Sequence, residues 1–305
     1  MGAGGTFDPR GPVADEILDL TWVLTGLGVA VFVVFATALA YSFRPGRAVD
    51  PGRAAVRWIV AGGVAMPVAV LLITFGFTAE AMRDTPERAP AGSLRVDVIG
   101  HQWWYELRYP DHGIVTANEM HIPAGRPVEV HLTSADVIHS FWVPELAGKL
   151  DLLPDRENVL VIQADEAGEY RGSCAEFCGL QHAKMRIVVV AADPPEFSAW
   201  LRRQQRPAVP PDNPVAQRGK EVFAAAGCSS CHTIEGTPAR GSSGPDLTHL
   251  AGRRTLASAT MPNTRRHLIR WLTEPQDVKA GTQMESADLA AEEMKALVTY
   301  LEALD

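Results

Sequence analysis

Two long uncharged runs near the N-terminus constrain the architecture more than anything else in the chain. Residues 20–43 hold 24 positions without a charge, and residues 58–79 hold 22. As helices these would measure about 36 and 33 Å, enough to cross a hydrocarbon layer of about 30 Å. Soluble core helices rarely run so far uncharged. A secretory signal is the other reading of the first run, but the preceding residues are acidic (Asp15, Glu16, Asp19) and the run is too long for a signal's apolar region. Pro67 is tolerable in a membrane span, where neighbours can satisfy the freed carbonyl. The connecting loop carries Arg44, Arg47, Arg53 and Arg57 against Asp50. The positive-inside rule puts this loop in the cytoplasm and leaves the N-terminus and everything after the second run outside.

Hydrophobic residues make up 47% of the 305, charged residues 21%, and the net charge is −8. That is too apolar for disorder. No basic patch or Lys/Arg run is present, which argues against a nucleic-acid partner. An acidic balance suits a basic protein partner.

Residues 92–193 read as an all-β domain. The runs 94–109, 126–133, 137–143, 158–163 and 185–191 are rich in Val, Ile and aromatics, with turn signals such as Pro110-Asp111 and Ala124-Gly125 between some of them. Short strands without intervening helices predict a β-sandwich or barrel. Residues 194–213 then read as a short helix (194–205) and a semi-rigid Pro-rich linker. Asn213-Pro214 is a helix start, with an N-cap followed by Pro at the first helical position. Residues 214–305 read as a small all-α domain with helices at 214–226, 263–273 and 287–304. The expected organisation is a membrane hairpin (1–91), a β domain, a linker and a helical domain.

The four cysteines fall in two tight pairs, each with a nearby histidine. The first is Cys174-Ala-Glu-Phe-Cys178-Gly-Leu-Gln-His182-Ala-Lys-Met185, with His139 upstream at the end of a β run. Thiolates, imidazoles and a thioether select copper, zinc or iron–sulfur over magnesium or calcium. One remote His with a C-terminal Cys/His/Met loop on a sandwich is the blue-copper layout, which uses a single Cys. Two thiolates can instead bridge two coppers, leaving one His for each ion and Met185 as a weak axial ligand. A Cys₂His₂ zinc site and a Cys174–Cys178 disulfide are the competing readings. Neither uses Met185.

The second pair lies in Cys228-Ser-Ser-Cys231-His232, the haem c attachment pattern: two thiols add to the vinyl groups and the adjacent His ligates the iron. CxxC alone is also a redox or zinc motif, so the second axial ligand matters. Met284, in a loop between two helical segments, is the expected one. Met261, Met294, His249 and His267 are its rivals. Met294 is read as core within a helix, and the two histidines as surface residues. His101, His112, His121 and His131 have no paired ligand at useful spacing and read as structural.

Residues from about 15 to 192 resemble cytochrome c oxidase subunit II. The resemblance rests on the two-helix anchor, on Gly100-His101-Gln102-Trp103-Trp104-Tyr105, on Asp136-Val-Ile-His139-Ser-Phe-Trp-Val-Pro144 and on the Cys174–Met185 segment. It implies a cupredoxin-like fold with a binuclear Cu-A centre. The ligands would be His139, Cys174, Cys178, His182 and Met185 through side chains and Glu176 through its carbonyl oxygen. It also implies a Mg²⁺ touched by the Glu176 carboxylate at the subunit I interface, and Trp103 as the aromatic that receives electrons. Asp136 is read either as a docking charge for a basic cytochrome or as a turn-stabilising Asp. Glu80 is read either as the carboxylate at a proton-channel mouth or as a solvated charge. The segment Gly244-Pro245-Asp246-Leu247 and the Met284 loop resemble class I cytochromes c, in which a Pro carbonyl orients the haem His. The family order Trp-Tyr-Trp appears here as Trp103-Trp104-Tyr105, its Pro-Gly-Arg as Pro154-Asp155-Arg156, and its prolines as Ala280 and Glu285.

The whole chain thus resembles subunit II of a caa(3)-type haem–copper oxidase, fused to a cytochrome c domain. The resemblance implies a bacterial inner-membrane protein in contact with lipid, with its C-terminal domains on the periplasmic side. Electrons from a cytochrome c-type donor would pass through haem c and two coppers to subunit I, with subunit III also present. Oxygen reduction and proton pumping would occur in subunit I. The alternatives are the equivalent subunit of a Cu-A-containing nitric oxide reductase, a membrane-anchored copper chaperone or carrier, and a zinc-stabilised structural domain.

Overall fold

The computed structural model describes residues 5–45 and 52–305. Arg47 and Asp50 of the cationic loop lie outside the described residues. The hairpin, residues 13–86, is a unit of its own. Its first helix, α1 (Pro12–Ser42), starts before the uncharged run. The second run is helical from α2 (Arg53–Val60) through a π-helical stretch (Ala61–Ala65) into α3 (Met66–Asp84). Pro67 sits just beyond the π stretch, the kind of local widening that accommodates a missing N–H donor. Neither helix buries any residue of its most apolar window, so these are not soluble core helices. Phe32, Phe35, Leu71 and Leu72 all point outward.

The β domain is a sandwich of two five-stranded sheets. Its strands are β1 (Leu94–His101), β2 (Trp104–Tyr109), β3 (Ile114–Ala117), β4 (Glu119–Pro123), β5 (Val128–Ser134), β6 (His139–Trp142), β7 (Leu150–Leu152), β8 (Asn158–Ile162), β9 (Gly168–Cys174) and β10 (Arg186–Ala192). The sheet orders are β3-β2-β1-β5-β8 and β4-β10-β9-β6-β7. Val96, Val98, Leu107, Leu132, Phe141 and Val189 fill the space between the sheets. The run 94–109, expected as one strand, turns at Gln102-Trp103 so that His101 pairs with Trp104 across an antiparallel register. Strands β3, β4, β7 and β9 lie outside the Val-, Ile- and aromatic-rich runs. In β9 the buried positions Tyr170, Gly172 and Cys174 alternate with exposed Glu169 and Arg171, so the strand reads as polar.

Helix α4 (Pro194–Gln204) closes the β domain. Its Trp200 stacks on His121 at 4.3 Å and meets Tyr109 edge-on. Burial pushes the His121 imidazole down to about 3, so it stays neutral in its apolar seat.

The helical part contains α5 (Pro214–Ala225), α6 (Arg265–Thr273), α7 (Pro275–Val278) and α8 (Ala291–Leu301), with a two-residue strand pair, β11 (Thr255–Leu256) and β12 (Met261–Pro262). Asn213 caps α5 as its sequence predicts, its Oδ1 accepting from Val215 N at 2.8 Å. α6 starts at its Thr264 cap rather than at Asn263, whose amide instead donates to the carbonyls of Leu250 and Arg253. Phe223, Leu297, Tyr300 and Met294 form the centre of this domain's core. His249, expected at the surface, is buried. Its Nε2 lies 3.0 Å from Arg206 O and 3.2 Å from Gln204 O, which staples the start of the linker to the helical domain.

Candidate functional site

The first cluster forms where β6 and β9 pair. Phe141 is the register partner of Cys174, which places His139 and Cys174 at neighbouring strand ends. The loop after Cys174 returns to the sheet through Cys174 N donating to Met185 O at 2.9 Å. His139 is fully buried, and its Nδ1 has no hydrogen-bond partner. Its Nε2 meets Asp136 Oδ1 at 2.7 Å. The Asp136 carboxylate also accepts from Gln102 N and Val137 N. Asp136 therefore builds the turn, one of the two readings its sequence allowed, and also fixes the His139 ring, which the sequence did not show. Gly100 provides the seat for the ring: a Cβ there would lie 2.6 Å from His139 Cδ2.

The ligand atoms of His139, Cys174 and Cys178 all lie within 4.8 Å of one another. The two sulfurs are 3.8 Å apart, far beyond a disulfide's ~2.05 Å, and both thiols are free. Cys178 Sγ is also 3.8 Å from His182 Nδ1 and 3.8 Å from Met185 Sδ. Cys174 Sγ approaches Glu176 O at 3.1 Å. Cys178 hydrogen-bonds to Cys174 and holds its thiol down to about 3, while that same bond and burial push Cys178 up. The pair thus favours a thiolate at Cys174 beside a thiol at Cys178, and a metal bound to both sulfurs would require the remaining proton to leave.

These donors fit copper. Four buried side-chain donors, His139, Cys174, Cys178 and Met185, stand with half-buried His182 and a carbonyl oxygen around the two sulfurs, and His139 Nδ1 is left without a partner. The Glu176 carboxylate points away, within 4.0 Å of Lys149 Nζ. Half-buried Trp103 is bonded to this loop, its Nε1 donating to Cys178 O at 2.9 Å.

The second cluster lies in a short 3₁₀ turn, Cys228–Ser230, just after α5. Cys228 is half-buried, Cys231 is exposed, and both are free. His232 Nδ1 meets Pro245 O at 2.7 Å, which directs Nε2 away as an available ligand. Burial lowers the His232 pKa against this bond and favours the neutral imidazole that a metal requires. Gly244 permits the close approach, since a Cβ there would fall 2.7 Å from the His232 ring. Cys228, Leu247 and Met284 border the same helical core. Gln276 Nε2 donates to Met284 O at 3.2 Å and holds the methionine loop. The donor set fits a covalently attached haem with His and Met on its iron. Among the rivals, Met261 and Met294 are buried in the core, and His267 bonds to Thr264 within its own helix start.

A sandwich carrying a sulfur-rich copper-type site, joined to a helical CxxCH domain and an apolar hairpin, defines a membrane-anchored electron-transfer subunit. Residues 113–192 match the family model for cytochrome c oxidase subunit II, periplasmic domain, and residues 216–305 match that for cytochrome c. Cytochrome c oxidase subunit 2 of Alkalihalophilus pseudofirmus is 32% identical over 97% of this chain and 90% of that protein. Its counterpart in Bacillus subtilis is 30% identical over 98% of this chain and 91% of that protein. A crystal structure of the periplasmic domain of cytochrome oxidase subunit II from Bradyrhizobium japonicum is 30% identical. It covers 39% of this chain and 97% of that one, with a TM-score of 0.37. The chain belongs to the cytochrome c oxidase subunit 2 family, in the form that carries a fused cytochrome c domain.

Proposed function

We propose that this chain receives electrons from a cytochrome c-type donor at its own haem c and passes them through a binuclear copper centre to subunit I, where oxygen is reduced and protons are pumped. In this reading Cys228 and Cys231 hold the haem, with His232 and Met284 on its iron. His139, Cys174, Cys178, His182, Met185 and the Glu176 carbonyl hold two coppers. Bound there, both groups supply one-electron chemistry. His139 is fixed by Asp136, so little need rearrange as charge arrives. The hairpin sits in the inner membrane with the residue 92–193 and 214–305 domains on the periplasmic side. The Glu176 carboxylate contributes to a Mg²⁺ site facing subunit I, and subunit III completes the assembly.

The observation that carries the copper reading is the placement of the histidines. His139 belongs with both sulfurs, whereas His182 touches Cys178 at 3.8 Å and falls outside that mutually close group. A single tetrahedral zinc would bring all four donors within about 3.8 Å of each other. An elongated set with two sulfurs in the middle suits two ions. The test is electron paramagnetic resonance of the detergent-solubilised full chain, with copper counted per chain. Hyperfine structure from one electron shared equally by two copper nuclei is expected. A single-copper pattern, or zinc in its place, refutes the reading.

A further inference from the structure

The sandwich and the helical domain meet through an interface that carries several buried polar bonds. Glu119, buried at the start of β4, extends its carboxylate into the helical domain. There it accepts from Arg254 N at 3.0 Å, Thr255 N at 2.7 Å and Thr255 Oγ1 at 2.6 Å. Lys279 makes the reciprocal insertion. It is 3% exposed, and its Nζ donates to Trp103 O at 2.5 Å and to Ala257 O at 3.4 Å. On either side of Lys279 the backbone is held from the sandwich. Lys184 Nζ donates to Val278 O at 2.7 Å, and Gln181 Nε2 donates to Ala280 O at 2.8 Å. Gly281, at φ +81°, brings the chain against the indole. A Cβ there would lie 3.5 Å from Trp103 Cη2 and 3.1 Å from Leu180 Cδ2.

Residues 278–281 lead directly to Met284. The segment lying on Trp103 is therefore the one that carries the expected axial ligand of the haem. Burying one carboxylate and one ammonium in a contact that falls apart on separation would be costly unless each is matched. Glu119 is matched only in the docked arrangement, and without docking Lys279 keeps only its longer bond to Ala257 O within its own domain. We propose that residues 278–281 form a built-in docking element which caps Trp103 with this chain's own haem domain, and that Lys279 is the positioning residue that latches it. The benzene edge of the indole is covered there, in keeping with a soluble cytochrome that delivers its electron to the haem domain. This inference rests on Trp103 as the residue that receives electrons.

The test uses the whole oxidase purified in detergent. Hydrogen exchange is followed at the amides of Arg254, Thr255 and Arg186, and haem-to-copper transfer is timed after flash reduction. Protected amides are expected in the unaltered enzyme. Lys279→Glu sets a carboxylate against two carbonyl oxygens. It should speed exchange at these amides and slow internal transfer, each by about tenfold or more, with the spectra of both centres and the exchange of α5 and α8 unchanged. Unprotected amides in the unaltered enzyme, or unchanged exchange in Lys279→Glu, overturn the latch. Trp103→Phe separates the two ideas. If Lys279→Glu opens the interface while Trp103→Phe transfers at the normal rate, the latch stands and the role of Trp103 fails. If Trp103→Phe alone slows transfer, the role stands and the latch fails. Should Lys279→Glu not accumulate, Glu119→Ala probes the contact from the other side with the same expected rise in exchange. Continued protection there also overturns the proposal.

Discussion

The copper-type site and the haem-type site are built on opposite plans. In the first, strands β6 and β9 fix His139 and Cys174 by pairing, and the loop between Cys174 and Met185 is closed by main-chain bonds. Its donors come from a sandwich whose core is complete in its own side chains. In the second, only His232 is set by a short bond, to Pro245, while Cys231 is exposed and Met284 lies at the edge of a small core. Between Cys231 and Thr264 the only regular structure is the two-residue strand pair. A site set by sheet pairing awaits its metal, whereas a site set by loops depends on a covalent prosthetic group to complete its packing.

The sharpest way to break this contrast is to block attachment. Cys228→Ser with Cys231→Ser should abolish the haem stain and unfold the 214–305 region, seen as lost helical circular dichroism, while the copper signal survives. A helical domain that stays folded would dissolve the distinction. The reverse experiment, Cys178→Ser, should eliminate the binuclear copper signal and lower the sandwich's melting temperature by only a few degrees. A smaller effect is expected at Asp136→Ala, which removes the acceptor on His139 Nε2. Outer partners of this kind are worth about 10–100-fold in metal affinity, measurable by competition with a chelator.

Next comes pH. Burial holds the Lys279 ammonium down to about 7, with Lys184 and Arg186 pushing the same way and Cys178 opposing. The separated domains therefore bind one more proton than the docked form between about 7 and the ordinary lysine value. Docking should strengthen as pH rises through that window, by up to about tenfold per unit, and level off below it. Exchange at Arg254 and Thr255 reports it. The smallest change is Asn213→Ala, where loss of the α5 cap should cost about 1 kcal/mol in the helical domain and leave the sandwich's denaturation midpoint unmoved.

Much of this was legible in the residues because the chemistry is local. Cys174, Cys178, His182 and Met185 lie within one loop, and Cys228, Cys231 and His232 within one turn, so type and spacing brought them together. The cap at Asn213 was legible for the same reason, whereas the Pro245 contact was legible only through the resemblance to class I cytochromes c. What escaped depends on partners distant in the chain. β9 alternates Glu and Arg with buried small residues and reads as a loop until β10 lies beside it. His249 is polar by composition, yet it is buried by a linker it has to staple. Glu119 and Lys279 look like ordinary surface charges, and only the meeting of two domains takes them out of water.

The contact between those domains also bears on how such a chain can diverge. Its acceptors are mainly main-chain oxygens, at Trp103, Arg186, Val278 and Ala280. A carbonyl survives almost any replacement of the side chain beside it. The accepting positions can therefore drift freely over evolutionary time without loosening the joint. Selection to keep it falls on a few donors and on the carboxylates of Glu119 and Glu169, the second paired with Arg254. Two such chains could differ at most interface positions and still assemble in the same way.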